Sequence, residues 1–312
     1  MSEFVSASGA SSGVVIPRIR GGLGNQLFMY AMARRLAAAN GVELALDDVS
    51  GFRGGNKYAR RYMLDRYAVH GRRASAAERL EPGARWRRRW RRALDVRRPL
   101  SERRYVVQRE PGFDPAVHAM RVVRPTTFEG YWQSERWFDD MRERIRAELT
   151  LPDPADGPNA EMLRRVLERG AGAVALHVRF FNDPAATAAN EAVVGYYRRA
   201  LEHVRARVAD PHFFLFSDEP EAARSVLSLE PSRLTPVTHN RGDGNAHLDL
   251  WLISRCRHVV TANSTFSWWG AWLGESADGF VVTPDFAGTE AFLAWGSPGL
   301  IPARWTRIRP GP

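Results

Sequence analysis

The chain has 312 residues, of which 44% are hydrophobic, and a formal net charge of +10. That length fits one large domain or two of about 150 residues each. The single cysteine, Cys256, excludes an internal disulfide and a cysteine-based metal site, and such usage is typical of a reducing cytoplasm. The charge suggests a nucleic-acid partner, but no nucleic-acid-binding motif is present and Lys57 is the only lysine among 45 basic residues. The arginine excess therefore indicates codon bias, and we expect no nucleic-acid partner.

The first residues, 1–13, are rich in Ser, Gly and Ala. They lack the basic start and the apolar stretch of a signal peptide, so we expect a disordered leader. No apolar run reaches the roughly 18 residues that would span a bilayer. Together these features predict a cytoplasmic protein.

The N-terminal half opens with a strand, a glycine-rich turn and a helix. Residues 14–19 form a short apolar strand, Arg20-Gly-Gly-Leu-Gly-Asn-Gln26 forms the turn, and residues 27–39 have helical periodicity. A second strand covers residues 42–46. Glycines at such a turn let a ligand approach the backbone closely, and a helix N-terminus favours an anion. Tight packing of the strand against the helix is the alternative interpretation.

The segment from Arg85 to Arg104 shows the strongest shift in composition. Trp86, Trp90 and Leu94 are four residues apart and share one face of a predicted helix, with arginines around the rest. A tryptophan stripe at this spacing usually packs into the core, so we expect the helix to dock through the stripe and to expose its basic face. The alternative is a basic amphipathic helix that lies on an anionic membrane surface.

A linker divides the chain at residues 151–159, which are rich in Pro and Asp. We expect one domain at 14–155 and a second at 160–312. The second half alternates strand and helix, which predicts a parallel sheet with right-handed crossovers. Its predicted strands are 174–178, 213–216, 236–238, 258–262 and 280–283, and its predicted helices are 190–208, 220–227, 246–255 and 266–273.

Polar side chains follow three of these strands at the point where each one ends. They are His177 and Arg179, then Ser217 and Asp218, then Asn263, Ser264 and Thr265. In parallel sheets ligands bind outside the carboxyl ends of the strands. An arginine beside a helix N-terminus suits a diphosphate, and a neighbouring carboxylate suits the ring N–H groups of guanine. Helix capping by Ser217 and Asp218, and a structural role for His177, are the alternatives.

Several blocks of the chain resemble the bacterial α-1,2-fucosyltransferases of glycosyltransferase family eleven. The matches run in the family's order from residue 20 to about 285. They are Gly21-Gly-Leu-Gly-Asn-Gln-Leu-Phe28, Gly130-Tyr-Trp-Gln-Ser-Glu135, His177-Val-Arg179, Phe216-Ser-Asp218 and Asn263-Ser-Thr-Phe-Ser-Trp-Trp-Gly-Ala-Trp-Leu273. The last block is the most specific, because it is long and rich in tryptophan.

The resemblance implies a GT-B-like α/β fold with two Rossmann-type parallel-sheet domains facing a cleft, the N-terminal domain on the acceptor side. It implies GDP-fucose as donor and transfer of L-fucose, with inversion, to the 2-hydroxyl of a galactose or similar residue in a surface glycan. No metal and no cofactor are expected. The implied location is cytoplasmic, with the inner membrane face as a second location through Arg85–Arg104.

The same resemblance, together with the strand ends, assigns the site. The expected donor-binding residues are Asn25, Gln26, His177, Arg179, Ser217, Asp218, Asn263, Ser264, Thr265 and Ser267. Arg179 is the expected stabiliser of the leaving diphosphate, and Asp183 is the candidate general base. Simple capping of the helix start is the alternative role for Asn25 and Gln26.

One block departs from the family's pattern, which reads His-x-Arg-Arg-x-Asp. Here Phe180 replaces the second arginine, Asn182 stands at the acidic position and Asp183 follows it. The departure favours a first rival hypothesis, the same fold with another GDP-deoxysugar donor. A second rival is a non-enzymatic basic protein that binds membrane or nucleic-acid surfaces.

Overall fold

The computed structural model describes residues 13–53, 60–155, 157–180, 185, 191–227, 229–285 and 298–309. Its strands are β1 Val14–Pro17, β2 Glu43–Leu46, β3 Arg72–Arg73, β4 Tyr105–Val107, β5 Pro125–Glu129, β6 Ala173–Val178, β7 His212–Ser217, β8 Leu234–Pro236, β9 His258–Val260, β10 Val281–Pro284 and β11 Thr306–Ile308. Its α-helices are α1 Leu23–Asn40, α2 Ala84–Asp95, α3 Pro115–His118, α4 Arg142–Leu149, α5 Gly157–Arg169, α6 Glu191–Arg205, α7 Pro220–Leu227, α8 Ala246–Arg255 and α9 Thr265–Gly274. The expected leader lies almost entirely outside the described residues.

The N-terminal sheet has five parallel strands in the order β3-β2-β1-β5-β4. The chain passes from β1 to β2 on one side and returns to β5 on the other, so the strand order reverses between β1 and β5. At such a reversal the loops after the two strands diverge and leave a crevice at the carboxyl edge. The glycine-rich turn follows β1, and the segment from Gly130 onward follows β5.

The C-terminal sheet has six parallel strands in the order β11-β10-β9-β6-β7-β8. Counted from β6, this is the order 6-5-4-1-2-3 of a doubly wound dinucleotide-binding fold. The order reverses between β6 and β9, which pair directly. The prediction of parallel α/β sheets is confirmed, and the reversal places the loops after β6 and β9 at one crevice.

Helix α9 joins the two sheets. Trp268, Trp269 and Trp272 are fully buried in a core cluster that contains residues from both halves of the chain. The ring centroid of Phe28 on α1 lies 4.5 Å from Trp268 and 5.0 Å from Trp269. Aromatic packing of this kind adds to the large area these rings bury. The tryptophans of α9 therefore hold this helix against α1 of the N-terminal half.

Helix α2 is oriented opposite to our expectation. Trp86 is 68% exposed, Trp90 67% and Leu94 51%, so the tryptophan stripe does not dock on the core. The inward face instead carries Arg92, which donates to the buried carboxylate of Glu129, and Asp95, which accepts from the Arg104 N–H at 2.9 Å. Buried carboxylates need such partners, and they decide which face of the helix turns inward. Among the described residues, no helix combines the length and apolarity of a membrane span.

Candidate functional site

The crevices of the two sheets meet at Asn25. Its Oδ1 accepts from Gln133 Nε2, which follows β5, at 2.9 Å, and from Thr265 Oγ1, at the start of α9, at 3.1 Å. Beside it, a Cβ added to Gly24 would lie 2.4 Å from the carbonyl carbon of Thr265. Only glycine permits this approach of the two backbones. The carboxyl edges of both sheets therefore face one shared cleft.

Arg179 follows β6 at the floor of this cleft. Its Nη1 lies 3.3 Å from Asp218 Oδ2, which follows the neighbouring strand β7. The backbone N–H of Phe180 donates to Asp218 Oδ1 at 3.0 Å. The side chains of Arg179 and Asp218 are 22% and 13% exposed, so the pair borders the cleft without being sealed from it. Asp218 therefore forms an ion pair with Arg179, and its expected contact with a guanine ring stays a prediction.

The N-terminus of α9 forms the other wall of the same crevice. Ser264 is the N-cap residue, and its Oγ accepts from the Phe266 N–H at 3.3 Å. The first amide groups of a helix have no acceptor within the helix and carry partial positive charge. Asn263, Ser264 and Thr265 are all partly exposed. A guanidinium and a helix N-terminus thus lie at the ends of neighbouring strands. This arrangement suits the binding of an anionic phosphate.

Phe180, which replaces the second arginine of the family's pattern, lies in the hydrophobic core. Its ring is 1% exposed and belongs to the cluster formed by β6, α6 and α7, with Val178, Tyr197 and Ala223 among its members. The side chain therefore extends away from the crevice that Arg179 borders. The loss of the second arginine removes a charge without placing the phenyl ring in the cleft.

His177, at the end of β6, is buried and uncharged. Burial, followed by the positive charge of Arg179, lowers the pKa of its imidazole to about 3. The ring packs against Phe266 at a centroid distance of 5.5 Å. Its Nδ1 has no hydrogen-bond partner among the described residues. A neutral imidazole with one unused nitrogen can donate or accept a hydrogen bond, whichever tautomer is present.

Two expected donor contacts do not fit the structure. Gln26 is fully buried; its Nε2 donates to the carbonyls of Gly21 and Arg61, and its Oε1 accepts from the Met63 N–H. Ser267 is also fully buried, and its Oγ accepts from the Ala262 N–H at 3.2 Å. Both side chains stabilise the loops around the cleft, because their hydrogen bonds are already made within the protein.

The structure describes some of the remaining predicted site residues but not others. The Ser217 Oγ accepts from the Glu219 N–H at 3.1 Å within the turn before α7, and its donor contact stays a prediction. Asn182 and Asp183 lie outside the described residues, so the candidate general base stays a prediction. Within the described ranges, no three His, Cys, Asp or Glu side chains form a group that could hold a metal ion.

A charged group at the carboxyl edge of the N-terminal sheet was not predicted from the sequence. Glu129, at the end of β5, is 6% exposed and pairs with Arg18 Nη1 at 3.0 Å, while Arg20 Nη1 lies 3.7 Å away. Arg20 also stacks over the ring of Tyr131 at 4.7 Å, and Tyr131 is 39% exposed. The missed signal was β5 itself, because Pro-Thr-Thr-Phe-Glu does not read as a buried strand.

Comparison with known proteins identifies the family of this chain. The profile of glycosyl transferase family 11 matches residues 105–294, which is more than half of the chain. An alpha-1,2-colitosyltransferase of Escherichia coli is 27% identical over 307 residues, covering 95% of this chain and 99% of that protein. The O-antigen biosynthesis glycosyltransferase WbnK of Escherichia coli is 26% identical over 285 residues, covering 85% and 92%.

A solved structure shares the architecture. A mutant of Arabidopsis thaliana FUT1 in complex with GDP has a TM-score of 0.53 and 14% identity, covering 88% of this chain and 71% of that one. The likeness agrees with the expected GT-B-like pair of parallel-sheet domains, which the two sheets described above confirm. With the family match spanning the cleft-forming segments after β5, β6, β7 and β9, the chain is an enzyme that belongs to glycosyltransferase family 11.

Proposed function

We propose that this enzyme transfers a fucose-type deoxysugar from a GDP-sugar to the 2-hydroxyl of a galactose-like residue in a surface glycan. The observation that carries the proposal is the juxtaposition of Arg179, held by Asp218, with the N-terminus of α9 at the β6/β9 crevice. This pairing offers a diphosphate both a guanidinium and helix amides. The donor is GDP-fucose in the primary form of the proposal.

The chemistry asked of the cleft is stabilisation of a leaving group. As the acceptor hydroxyl attacks the anomeric carbon, its proton passes to a general base, for which Asp183 is the candidate. The bond to the diphosphate breaks, and negative charge grows on the diphosphate oxygens. Donors already aimed at that charge lower the barrier without reorganising, and loss of one typically costs about 10²–10³ in rate. Attack from the face opposite the leaving diphosphate inverts the anomeric carbon. In this proposal Arg179 and the α9 amides neutralise the charge without a metal ion.

The second candidate donor is a GDP-linked colitose. The relative that matches nearly end to end carries the name alpha-1,2-colitosyltransferase, and colitose is L-fucose without its 3-hydroxyl. A site that hydrogen-bonds a substrate hydroxyl rejects the analogue lacking it far more strongly than an apolar pocket rejects one extra hydroxyl. The two donors therefore give separable results in one assay.

The N-terminal crevice is the proposed acceptor side. Tyr131 offers a partly exposed ring, on which the apolar face of a sugar can stack, and Arg20 lies over the same ring. Arg20 Nε is buried and has no hydrogen-bond partner among the described residues. Tyr131→Ala should raise the KM for the glycan acceptor about tenfold and leave the affinity for GDP unchanged. The exposed Val107→Ala is its control, since Val107 lies on the neighbouring strand β4.

A donor panel tests the proposal as a whole. The purified enzyme is assayed with GDP-fucose, GDP-colitose, UDP-galactose and ADP-heptose against a β-galactoside acceptor, with and without EDTA. We expect transfer from one of the two GDP-deoxysugars, unaffected by EDTA, to the 2-hydroxyl and with an α-linkage. Transfer from UDP-galactose or ADP-heptose alone, or activity abolished by EDTA and restored by a divalent cation, would contradict the proposal.

A further inference from the structure

The exposed face of α2 is apolar along its length. Trp86, Trp90 and Leu94 follow one another at four-residue spacing and are each more than half exposed, and Val96 at the C-cap is 56% exposed. These four are half of the eight large hydrophobic side chains that are exposed in the described part of the chain. Isolated exposed apolar residues are ordinary, but a contiguous stripe marks an interaction surface.

Polar contacts on the inward face of α2 fix the orientation of the helix. Arg92 donates to Glu129, which also accepts from the Tyr105 hydroxyl, and Asp95 is 2% exposed with partners in Arg98 Nη1 at 3.2 Å and the Arg104 N–H at 2.9 Å. Turning the helix to bury the tryptophans would take Arg92 away from Glu129 and move Asp95 away from the Arg104 N–H. The loss of these buried polar contacts would be destabilising. The stripe therefore faces outward because of the fold, whatever is bound to it.

Positive charge surrounds the stripe. Residues 85–104 contain ten arginines against two acidic residues, so the segment holds +8 of the chain's net +10. Arg85, Arg87 and Arg89 are exposed at the sides of the stripe. The rest of the chain is close to neutral, which means that the charge is concentrated where the apolar stripe is exposed.

A basic cavity adjoins the C-terminal end of the stripe. It has a volume of about 590 Å³ and is lined by Leu94 and by four arginines, namely Arg91, Arg98, Arg104 and Arg124, along with Asp95 and Glu102. Burial, and then the neighbouring charge of Arg104, lowers the pKa of Arg91. Asp95 is already engaged by Arg98 and the Arg104 backbone, so the cavity keeps an excess of positive charge. Its size and charge suit a phosphate-bearing headgroup.

We propose that α2 docks this enzyme on an anionic lipid bilayer, with Trp86, Trp90 and Leu94 in the interface and the flanking arginines on the headgroups. Tryptophan favours the boundary between water and lipid, and arginines near an anionic surface each strengthen binding about fivefold. A second copy of the chain is a poorer partner, because a symmetric contact would bring two arginine-rich faces together. The inference does not depend on which sugar the enzyme transfers.

The test is sedimentation of the full chain with phosphatidylcholine vesicles, with and without phosphatidylglycerol, at low and high salt. We expect binding only to the anionic vesicles, weakened by salt. The double variant Trp86→Ser/Trp90→Ser should bind at least about tenfold more weakly. The triple variant Arg85→Gln/Arg87→Gln/Arg89→Gln should bind about a hundredfold more weakly. Thermal unfolding of both variants should match the wild type, since all five side chains are exposed.

Matched control variants test whether the loss of vesicle binding is specific to the exposed face of α2 or follows from removing any exposed apolar or charged side chain. Leu167→Ser removes an apolar side chain that is 57% exposed on α5, and Arg164→Gln/Arg207→Gln/Arg224→Gln removes the same charge from exposed positions elsewhere. Both should bind vesicles as the wild type does. The proposal would be overturned if the protein did not bind anionic vesicles, or if the control variants lost as much vesicle binding as the α2 variants. It would also be overturned if Trp86 and Trp90 instead supported a dimer or an oligonucleotide complex in a protein that does not bind vesicles.

Discussion

Replacing Arg179 by alanine should separate catalysis from folding. The guanidinium is 22% exposed and 3.3 Å from the Asp218 carboxylate, which keeps its second contact, the Phe180 N–H at 3.0 Å, in the variant. The carboxylate would lose a partner at a partly screened position, so we expect a cost of about 1–2 kcal/mol in the free energy of unfolding. A typical stability of about 5–15 kcal/mol leaves such a variant almost fully folded.

In the proposed mechanism, the same substitution removes a hydrogen-bond donor that stabilises the leaving diphosphate. We expect kcat/KM for the donor to fall at least about a hundredfold, which corresponds to about 3 kcal/mol of transition-state stabilisation. Steady-state transfer assays and thermal unfolding, run on one preparation, measure both quantities. Asp218→Asn keeps an oxygen for the Phe180 N–H but removes the charge that holds Arg179, so its activity should fall about tenfold.

The control is Arg165→Ala in the same domain. Arg165 Nη2 donates to Thr235 Oγ1 at 2.9 Å, away from the cleft, and its loss should change kcat/KM by no more than about twofold. If Arg179→Ala retained activity within about threefold of the wild type, the assignment of Arg179 to the diphosphate would be wrong.

Three further substitutions test the packing and charge of the cleft. Phe180→Arg, which restores the family's arginine, should cost at least about 3 kcal/mol of unfolding free energy, because the ring it replaces is in the core; tighter GDP binding without that cost would contradict the placement. Gly24→Ala should destabilise by about 1–3 kcal/mol and reduce activity, because its Cβ would lie 2.4 Å from Thr265; Gly22→Ala, whose Cβ has no neighbour closer than 3.9 Å, is the control. His177→Gln tests pH dependence by urea unfolding: the native pKa of about 3 lies below the unfolded value, so the unfolded state takes up the proton first and the wild type loses stability as pH falls below about 6.5. By pH 5 that loss should exceed the variant's by about 2 kcal/mol, and equal losses would show that His177 is not held neutral.

Local sequence signals predicted the elements of the C-terminal sheet well. The strands β6 and β7 are largely apolar runs, and Ser264, one of three adjacent polar residues that could each cap a helix, caps α9. Once those strands are placed, their parallel order brings Arg179 and Asp218 to one edge. This part of the site could be predicted because periodicity and helix capping depend on residues that are close together in the sequence.

The N-terminal elements and several side-chain roles did not follow from sequence. The strand β5 contains Pro125 and two threonines, and α5 begins with Gly-Pro at Gly157, within the expected linker. Periodicity also tells which residues share a face of α2 but not which face turns inward, since that depends on Glu129, far along the chain. Gln26 looked like a cleft residue for the same reason, because its partners Arg61 and Met63 lie on a loop 35 residues or more away.

The most direct test of the central claim is ligand-induced thermal stabilisation of the purified enzyme. GDP, GDP-fucose, UDP and ADP are each added with and without EDTA, to the wild type and to Arg179→Ala. A ligand that binds only the folded state raises the midpoint by an amount set by its concentration over Kd. We predict that GDP and GDP-fucose each raise the unfolding midpoint of the wild type, and that EDTA does not change either shift. Most of the shift in midpoint should be lost in Arg179→Ala. A shift with UDP or ADP but not GDP, or a GDP shift that Arg179→Ala retains in full, would contradict a guanine-nucleotide sugar held at the β6/β9 crevice.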